Sequence, residues 1–221
     1  MTDQLTPRAF QDADGTQDWR VLGDGAAAFF RTTDLAASTR FVSAIADLPG
    51  IHDHAPDIDV RHDGVTVRTV TSSDASFGLT QRDVELARAV STVAAAHDLA
   101  ADPSALSSTI IVVGSPDPAT VMPFWQAVLG YQRRPDSPDE DLVDPGDRGV
   151  AYWFESMDAP RGDEGGAIHI GVFVPDEVAE ARVAAALAAG GRLVRDHGPA
   201  WWTLADAAGN EADVASALPR G

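Results

Sequence analysis

The stretch that most restricts the fold runs from His52 to Thr80, HDHAPDIDVRHDGVTVRTVTSSDASFGLT. In DIDVR and GVTVRTVT the apolar residues fall at alternate positions, Ile58 and Val60 in one run, Val65 and Val67 in the other. That is the period of half-buried strands, and His62-Asp63-Gly64 between them supplies a tight turn, so the two runs read as a β-hairpin. At Thr80 the period changes. Thr80-Gln81-Arg82-Asp83 is a variant capping box, followed by Val84, Leu86, Ala87, Val90, Val93 and Ala94 at helical spacing. A hairpin feeding an amphipathic helix predicts an α+β fold.

Upstream residues complete the pattern. Thr6 to Ala13 predicts a short helix ended by Gly15, two short strands between Trp19 and Arg31 flank Gly23-Asp24-Gly25, and a long helix starts at Asp34. The sum is a four-stranded antiparallel sheet with helices on one face. Leu35, Val42 and Ala46 are expected to line the packed face of the long helix, with Phe41 and Ile45 beside them. An open sheet edge points to self-association.

HAPDIDVRHDGVTVR followed by TSSDASFGLTQRDVELA resembles the pterin-4a-carbinolamine dehydratase family, whose usual form is H-H-P-D, an alternating strand, T-T-H-D and a G-L-T helix start. The similarity covers residues 5 to 99. It implies a small α/β domain whose histidines dehydrate a 4a-hydroxytetrahydropterin as general acid and base, and it implies a homo-oligomer. Anchored on Pro56 and Asp57, the first family histidine falls on His54 and the second on Ala55; anchored on Asp74-Ala75, the later one falls on Ser73. The resemblance therefore nominates His54 as the remaining base and Asp74 as a substitute acid, with His52 and Ser73 lining the substrate pocket. The segment between Val67-Arg68 and Gly78-Leu79-Thr80 is longer than the usual family loop.

The whole chain bounds the remaining choices. Its 221 residues suit one large or two small domains, and 16 basic against 34 acidic side chains give a net charge of −18, which disfavours nucleic acid and anionic membranes as partners. With no cysteine, disulfides and thiolate metal sites are excluded. No secretory signal or bilayer-length apolar run is evident, so the cytoplasm is the expected location.

LAADPSALSS, residues 99 to 108, has a linker's composition. The expected division is residues 1–99, a linker over 100–107, and a second domain over 108–221. In that domain an order repeats. Thr109 to Val113 predicts a strand, Asp117-Pro118 opens a helix ending at Gly130, and Pro123 is expected to kink it; Ala167 to Val174, Pro175-Asp176 and Gly190-Gly191 mark the second copy, before a strand from Arg192 to Val194. Further strands in each copy give two βαβββ modules.

FWQAVLGY, AIHIGVFV and LADAAGNEADVA resemble the glyoxalase-like (vicinal oxygen chelate) superfamily over residues 108 to 217. The resemblance implies a cleft in which a divalent metal, the one cofactor in prospect, is held by residues from the first and last strands of each module. By position the ligands are His169, Glu211 and Glu155, while the place matching His169 in the first copy holds Ile110. Trp125, Trp153, Trp201 and Trp202 all lie here, and adjacent Trp201 and Trp202 must point to opposite faces of a strand, so one of them is expected to line the cleft.

The favoured expectation is a two-domain small-molecule-binding protein, its ligand a pterin or another small molecule, with the dehydratase activity weakened or lost. The alternatives are an active dehydratase, a hydro-lyase relying on His54, and a metal-dependent glyoxalase-like enzyme using His169, Glu211 and Glu155.

Overall fold

The computed structural model describes residues 4–23, 25–73, 76–157, 168–205 and 211–216. The chain divides into two compact units, one of residues 1–72 and 77–107, the other chiefly of residues 108–221.

In the first unit α1 (Pro7–Gln11) leads to β1 (Arg20–Leu22), β2 (Gly25–Arg31), α2 (Leu35–Ala46), β3 (Asp57–Arg61), β4 (Gly64–Thr69), β5 (Thr71–Ser73), β6 (Ser76–Gly78) and α3 (Gln81–Ala96). The main sheet is antiparallel in the order β1-β2-β4-β3. Arg61 pairs with Gly64, so His62 and Asp63 form the two-residue turn of the hairpin. The long segment before Leu79 folds as a second hairpin, β5 against β6.

Thr6 caps α1 by accepting from the Ala9 amide at 3.1 Å, and Asp34 caps α2 by accepting from the Ala37 amide at 2.7 Å. The buried stripe of α2 is Ser38, Phe41 and Ile45, not the expected Leu35, Val42 and Ala46. Leu35 is 65% exposed. Phe41 sets the helix phase: its ring meets Phe30 edge to face at 5.2 Å, and that pair outweighs the smaller side chains. With Phe10, Trp19, Val65, Val67, Val84 and Val90 it forms the core, each side chain contributing about 1.5–3 kcal/mol on burial.

The stretch with linker composition is partly laid along β2. The Arg31 amide donates to the Ala100 carbonyl at 3.0 Å, the Asp102 amide to the Phe29 carbonyl at 2.8 Å, and Arg31 pairs with Asp102 at 2.5 Å. Leu106 is buried.

The second unit contains β7 (Ser108–Ser115), α4 (Pro118–Leu129), β8 (Gln132–Arg133), β9 (Asp141–Val143) and β10 (Ala151–Ser156), then β11 (Ile168–Phe173), α5 (Asp176–Ala188), β12 (Arg192–His197), β13 (Trp201–Ala205) and β14 (Glu211–Ala215). This is the βαβββ order twice. All eight strands share one sheet, β12-β13-β14-β11-β7-β10-β9-β8. The seam between the modules is the antiparallel pair β7–β11, and each of these strands lies parallel to the last strand of its own module. Pro123 stands inside α4, which continues past it to Leu129 and closes on left-handed Gly130.

Both helices cover the same face of the sheet. Trp202, Leu204 and Val214 pack with Ala179 and Val183 of α5, while Val113, Leu142 and Phe154 pack with Met122 of α4. Alternation sends their strand neighbours to the other face, where the cleft lies. Among the described residues no helix is long and apolar enough to cross a membrane.

Gly64 offers a test of the first core. A Cβ there would run into the Phe29 ring and approach the Phe30 carbonyl oxygen at 2.6 Å. Gly64→Ala is expected to cost about 1–3 kcal/mol by overpacking, read as a lower urea midpoint of the first unit.

Candidate functional site

Two histidines stand in ordered polar networks, one in each unit. In the first, the end of a 3₁₀ turn over Ile51–Asp53 delivers His54 against the start of α3. His54 Nε2 lies 2.9 Å from Asp83 Oδ1 and 3.2 Å from Thr69 Oγ1. Asp83 is wholly buried. Its Oδ1 also accepts from Thr69 Oγ1 at 2.7 Å, and its Oδ2 accepts from Thr71 Oγ1 at 2.7 Å and from the Thr80 amide at 2.8 Å. The capping-box acid of α3 is therefore also the partner of the histidine.

Burial pushes the Asp83 carboxyl up, but the hydroxyls of Thr69 and Thr71, the Thr80 amide and His54 outweigh it and hold the group below its ordinary value. An ionised carboxylate only accepts, so His54 Nε2 carries the proton and Nδ1 is left as the basic nitrogen. His54 borders a cavity of about 310 Å³ with Ile51, Asp53, Arg82, Glu85 and Leu86.

The other residues assigned to this site scatter. His52 and Ser73 are exposed, on the 3₁₀ turn and on β5, while Asp74 lies outside the described residues. No bond joins His52 or Ser73 to His54 among the contacts of the described residues.

In the second unit the cleft, of about 770 Å³, is lined by Ile110, Val112, Trp153, His169, Phe173 and Trp201, with Glu155, Arg195 and Asp213 also facing it. His169 is only 8% exposed. Its Nε2 lies 3.1 Å from Asp213 Oδ2, Thr203 Oγ1 donates to Asp213 Oδ1 at 2.6 Å, Arg195 Nε donates to Thr203 Oγ1 at 3.2 Å, and Arg195 Nη2 meets Glu211 Oε2 at 2.9 Å. Burial raises the Asp213 carboxyl, yet the bonds from His169 and Thr203 and the charge of Arg195 hold it below its ordinary value.

Arg195 reaches this face through a bulge. Leu193 pairs with Leu204 but Arg195 pairs with Thr203, so the extra residue, Val194, switches the side chain from the helix face to the cleft.

The register also revises the metal donor set. Matching the modules on Asp117 and Asp176 puts His169 with Ile110 and Gly171 with Val112; Gly171 pairs with Asp213 and Val112 with Trp153, so the counterpart of Asp213 is Trp153. Glu155 faces the cleft, but its counterpart is Ala215, not Glu211. His169 is turned onto Asp213, Glu211 onto Arg195, and Ile110 and Trp153 offer no donor. Among the described residues no three His, Asp or Glu side chains form a group able to hold a metal ion, and the arrangement does not fit the chelate expected for His169, Glu211 and Glu155.

Of the two tryptophans, Trp201 lines the cleft and stacks on His197 at 3.9 Å, while Trp202 is buried on the opposite face beneath α5. Asp83, Asp213, Thr203 and Arg195 were not among the expected residues. The signal for Asp213 was present: it shares a strand face with Glu211, two residues away.

The Asp83 network has a definite pH sign. Because the folded carboxyl titrates below its unfolded value, its contribution is complete above about pH 4 and is lost as pH falls through the folded value. Asp83→Asn is expected to cost about 1–3 kcal/mol at neutral pH, with the gap to the native protein narrowing below about pH 4, in urea titrations read by hydrogen-exchange protection of α3.

Different parts of the chain are similar to different known proteins. The family model of pterin 4 alpha carbinolamine dehydratase matches residues 3–93, and that of a glyoxalase-like domain matches residues 110–215. A "Putative pterin-4-alpha-carbinolamine dehydratase" of Acidobacterium capsulatum is 32% identical over 88 residues, 39% of this chain and 94% of that protein. One of the same name from Nocardia farcinica is 32% identical over 94 residues, 42% of this chain and 94% of that protein. A solved glyoxalase/bleomycin resistance protein/dioxygenase superfamily member from Vibrio splendidus aligns with 50% of this chain and 99% of its own at 19% identity and a TM-score of 0.33. Nearly the full length of the curated relatives is spanned by the first unit, and the chain belongs to the pterin-4a-carbinolamine dehydratase family, with a glyoxalase-like domain following in the same polypeptide.

Proposed function

We propose that this chain is a two-domain small-molecule-binding protein in which the dehydratase chemistry of the first domain is weakened or lost and the cleft of the second domain takes the ligand. One observation carries the reading. Of the three positions at which the family resemblance calls for histidine, Ala55 and Ser73 occupy two, and the third, His54, has Nε2 committed to Asp83 and Thr69. Dehydration of a carbinolamine needs one proton delivered to the departing hydroxyl and another removed from the ring. A single imidazole with one free nitrogen serves only one of those transfers at a time, and losing one partner of such a pair costs about 10²–10⁴-fold.

The second cleft supports the other half of the reading. Its walls are aromatic and aliphatic around a few polar groups, the make-up of a small-molecule site. Self-association belongs to the same proposal: β1 and β3 are the edges of the first sheet, with backbone groups directed outward.

The second reading, turnover on His54 alone with a pterin as substrate, draws on the carboxylate-oriented imidazole beside its cavity. One assay separates the two. The purified protein is expected to dehydrate a 4a-carbinolamine at or only slightly above the uncatalysed rate, and His54→Ala to change that rate little. A rate well above background that disappears in His54→Ala overturns the proposal and establishes the lyase.

A further inference from the structure

The hydrogen bonds of His169 leave one atom over. Asp213 is an acceptor on both oxygens, from Thr203 Oγ1 on one side and from the imidazole on the other. An ionised carboxylate requires the proton to sit on His169 Nε2, so in the neutral ring the lone pair belongs to Nδ1. Among the described residues nothing bonds to Nδ1, and Nδ1 is not sealed from solvent, since the one enclosed side-chain atom lacking a partner is Gln11 Oε1. The imidazole lines the cleft. In the neutral ring Nδ1 is thus an acceptor fixed in an otherwise mainly apolar wall.

The surroundings restrict what can sit there. Trp153 and Trp201 present aromatic surface, with Ile110, Val112 and Phe173 beside them. Gly171 keeps the sheet low next to His169, for a Cβ there would meet Ile110 Cγ1 at 2.8 Å. Charge disfavours an anion. Glu155, Asp213 and Glu211 lie on this face of the sheet, and among the described residues lining the cleft the one guanidinium, Arg195, is engaged by Glu211 and Thr203. Arg195 therefore offers an incoming carboxylate or phosphate little uncompensated charge.

We infer that the cleft takes an uncharged, flat aromatic molecule bearing a hydroxyl or ring N–H, with that donor on His169 Nδ1 and the ring against Trp153 and Trp201. The inference rests on the small-molecule reading given above and names the ligand class of the same cleft. A donor matters here because seating a ring that lacks one strips water from Nδ1 without replacing its bond.

The test uses two probes, 2-naphthol and its methyl ether 2-methoxynaphthalene, which lacks the O–H donor, titrated into the full chain and followed by tryptophan fluorescence. The native protein is expected to hold 2-naphthol about tenfold more tightly. In His169→Leu that preference should vanish while the methyl ether still binds, and Trp201→Leu should weaken both probes. Equal binding of the two probes by the native protein overturns the assignment of Nδ1 while leaving a small-molecule cleft, and this arm needs no variant to fold. A preference that survives in folded His169→Leu also overturns it. Binding of neither probe removes the cleft as a ligand site, and the small-molecule reading of the second domain falls with it.

Discussion

The first unit depends on one buried carboxylate. Asp83 begins α3 by accepting from the Thr80 amide, and through Thr69 and Thr71 it fastens that helix to the ends of β4 and β5. A carboxylate taken wholly out of water is tolerated only when its oxygens are satisfied, and here three hydroxyls, an amide and an imidazole do so. The helix start, the strand ends and His54 are consequently fixed relative to one another. Moving any one of them strands a charge in the core, so the site and the fold share the same bonds.

The second unit is organised by a seam. β7 and β11 run antiparallel at the middle of an eight-stranded sheet, and every later strand of each module is added outward from its own first strand. Two consequences follow from this topology. The helices of both modules cover one face, and the opposite face collects the alternate residues of β10, β7, β11, β14 and β13 into a single cleft. The modules are related in backbone but not in chemistry: where the second presents His169 and Asp213, the first presents Ile110 and Trp153. Two modules with the same element order thus give a cleft with one polar and one apolar side.

Much of the fold is legible in the sequence because the signals are local. The alternation around His62-Asp63-Gly64 and the Thr80/Asp83 box specify a hairpin and a helix start without reference to distant residues, and Asp117-Pro118 and Gly130 do the same for α4. What fails depends on tertiary context. The phase of α2 follows from Phe41 meeting Phe30, a contact no periodicity count reveals, and it leaves Leu35 outside. The cleft is the same in kind. Alternation correctly separates Trp201 from Trp202, but pairing Glu155 with Glu211 by motif is off by several residues, and only the register across β7, β10, β11 and β14 corrects it. Arg195 was beyond reach altogether, since a single bulged residue decides its side of the sheet.

Both units use the same device in different settings. A histidine gives Nε2 to a carboxylate that threonine hydroxyls keep ionised, Asp83 with Thr69 and Thr71 in one, Asp213 with Thr203 in the other. In each case the carboxylate fixes the tautomer and leaves Nδ1 as the acceptor. What differs is the space beside the ring. His54 borders about 310 Å³ next to Asp53, Arg82 and Glu85, whereas His169 borders about 770 Å³ walled by Trp153, Trp201 and Phe173. An acceptor in polar surroundings competes with water for every donor, while one in an apolar wall gains from any ligand that both replaces its water and covers the rings. On the proposed reading the same histidine–carboxylate pair discriminates ligands better in the second domain than in the first, and the difference lies in the neighbours that each sheet provides.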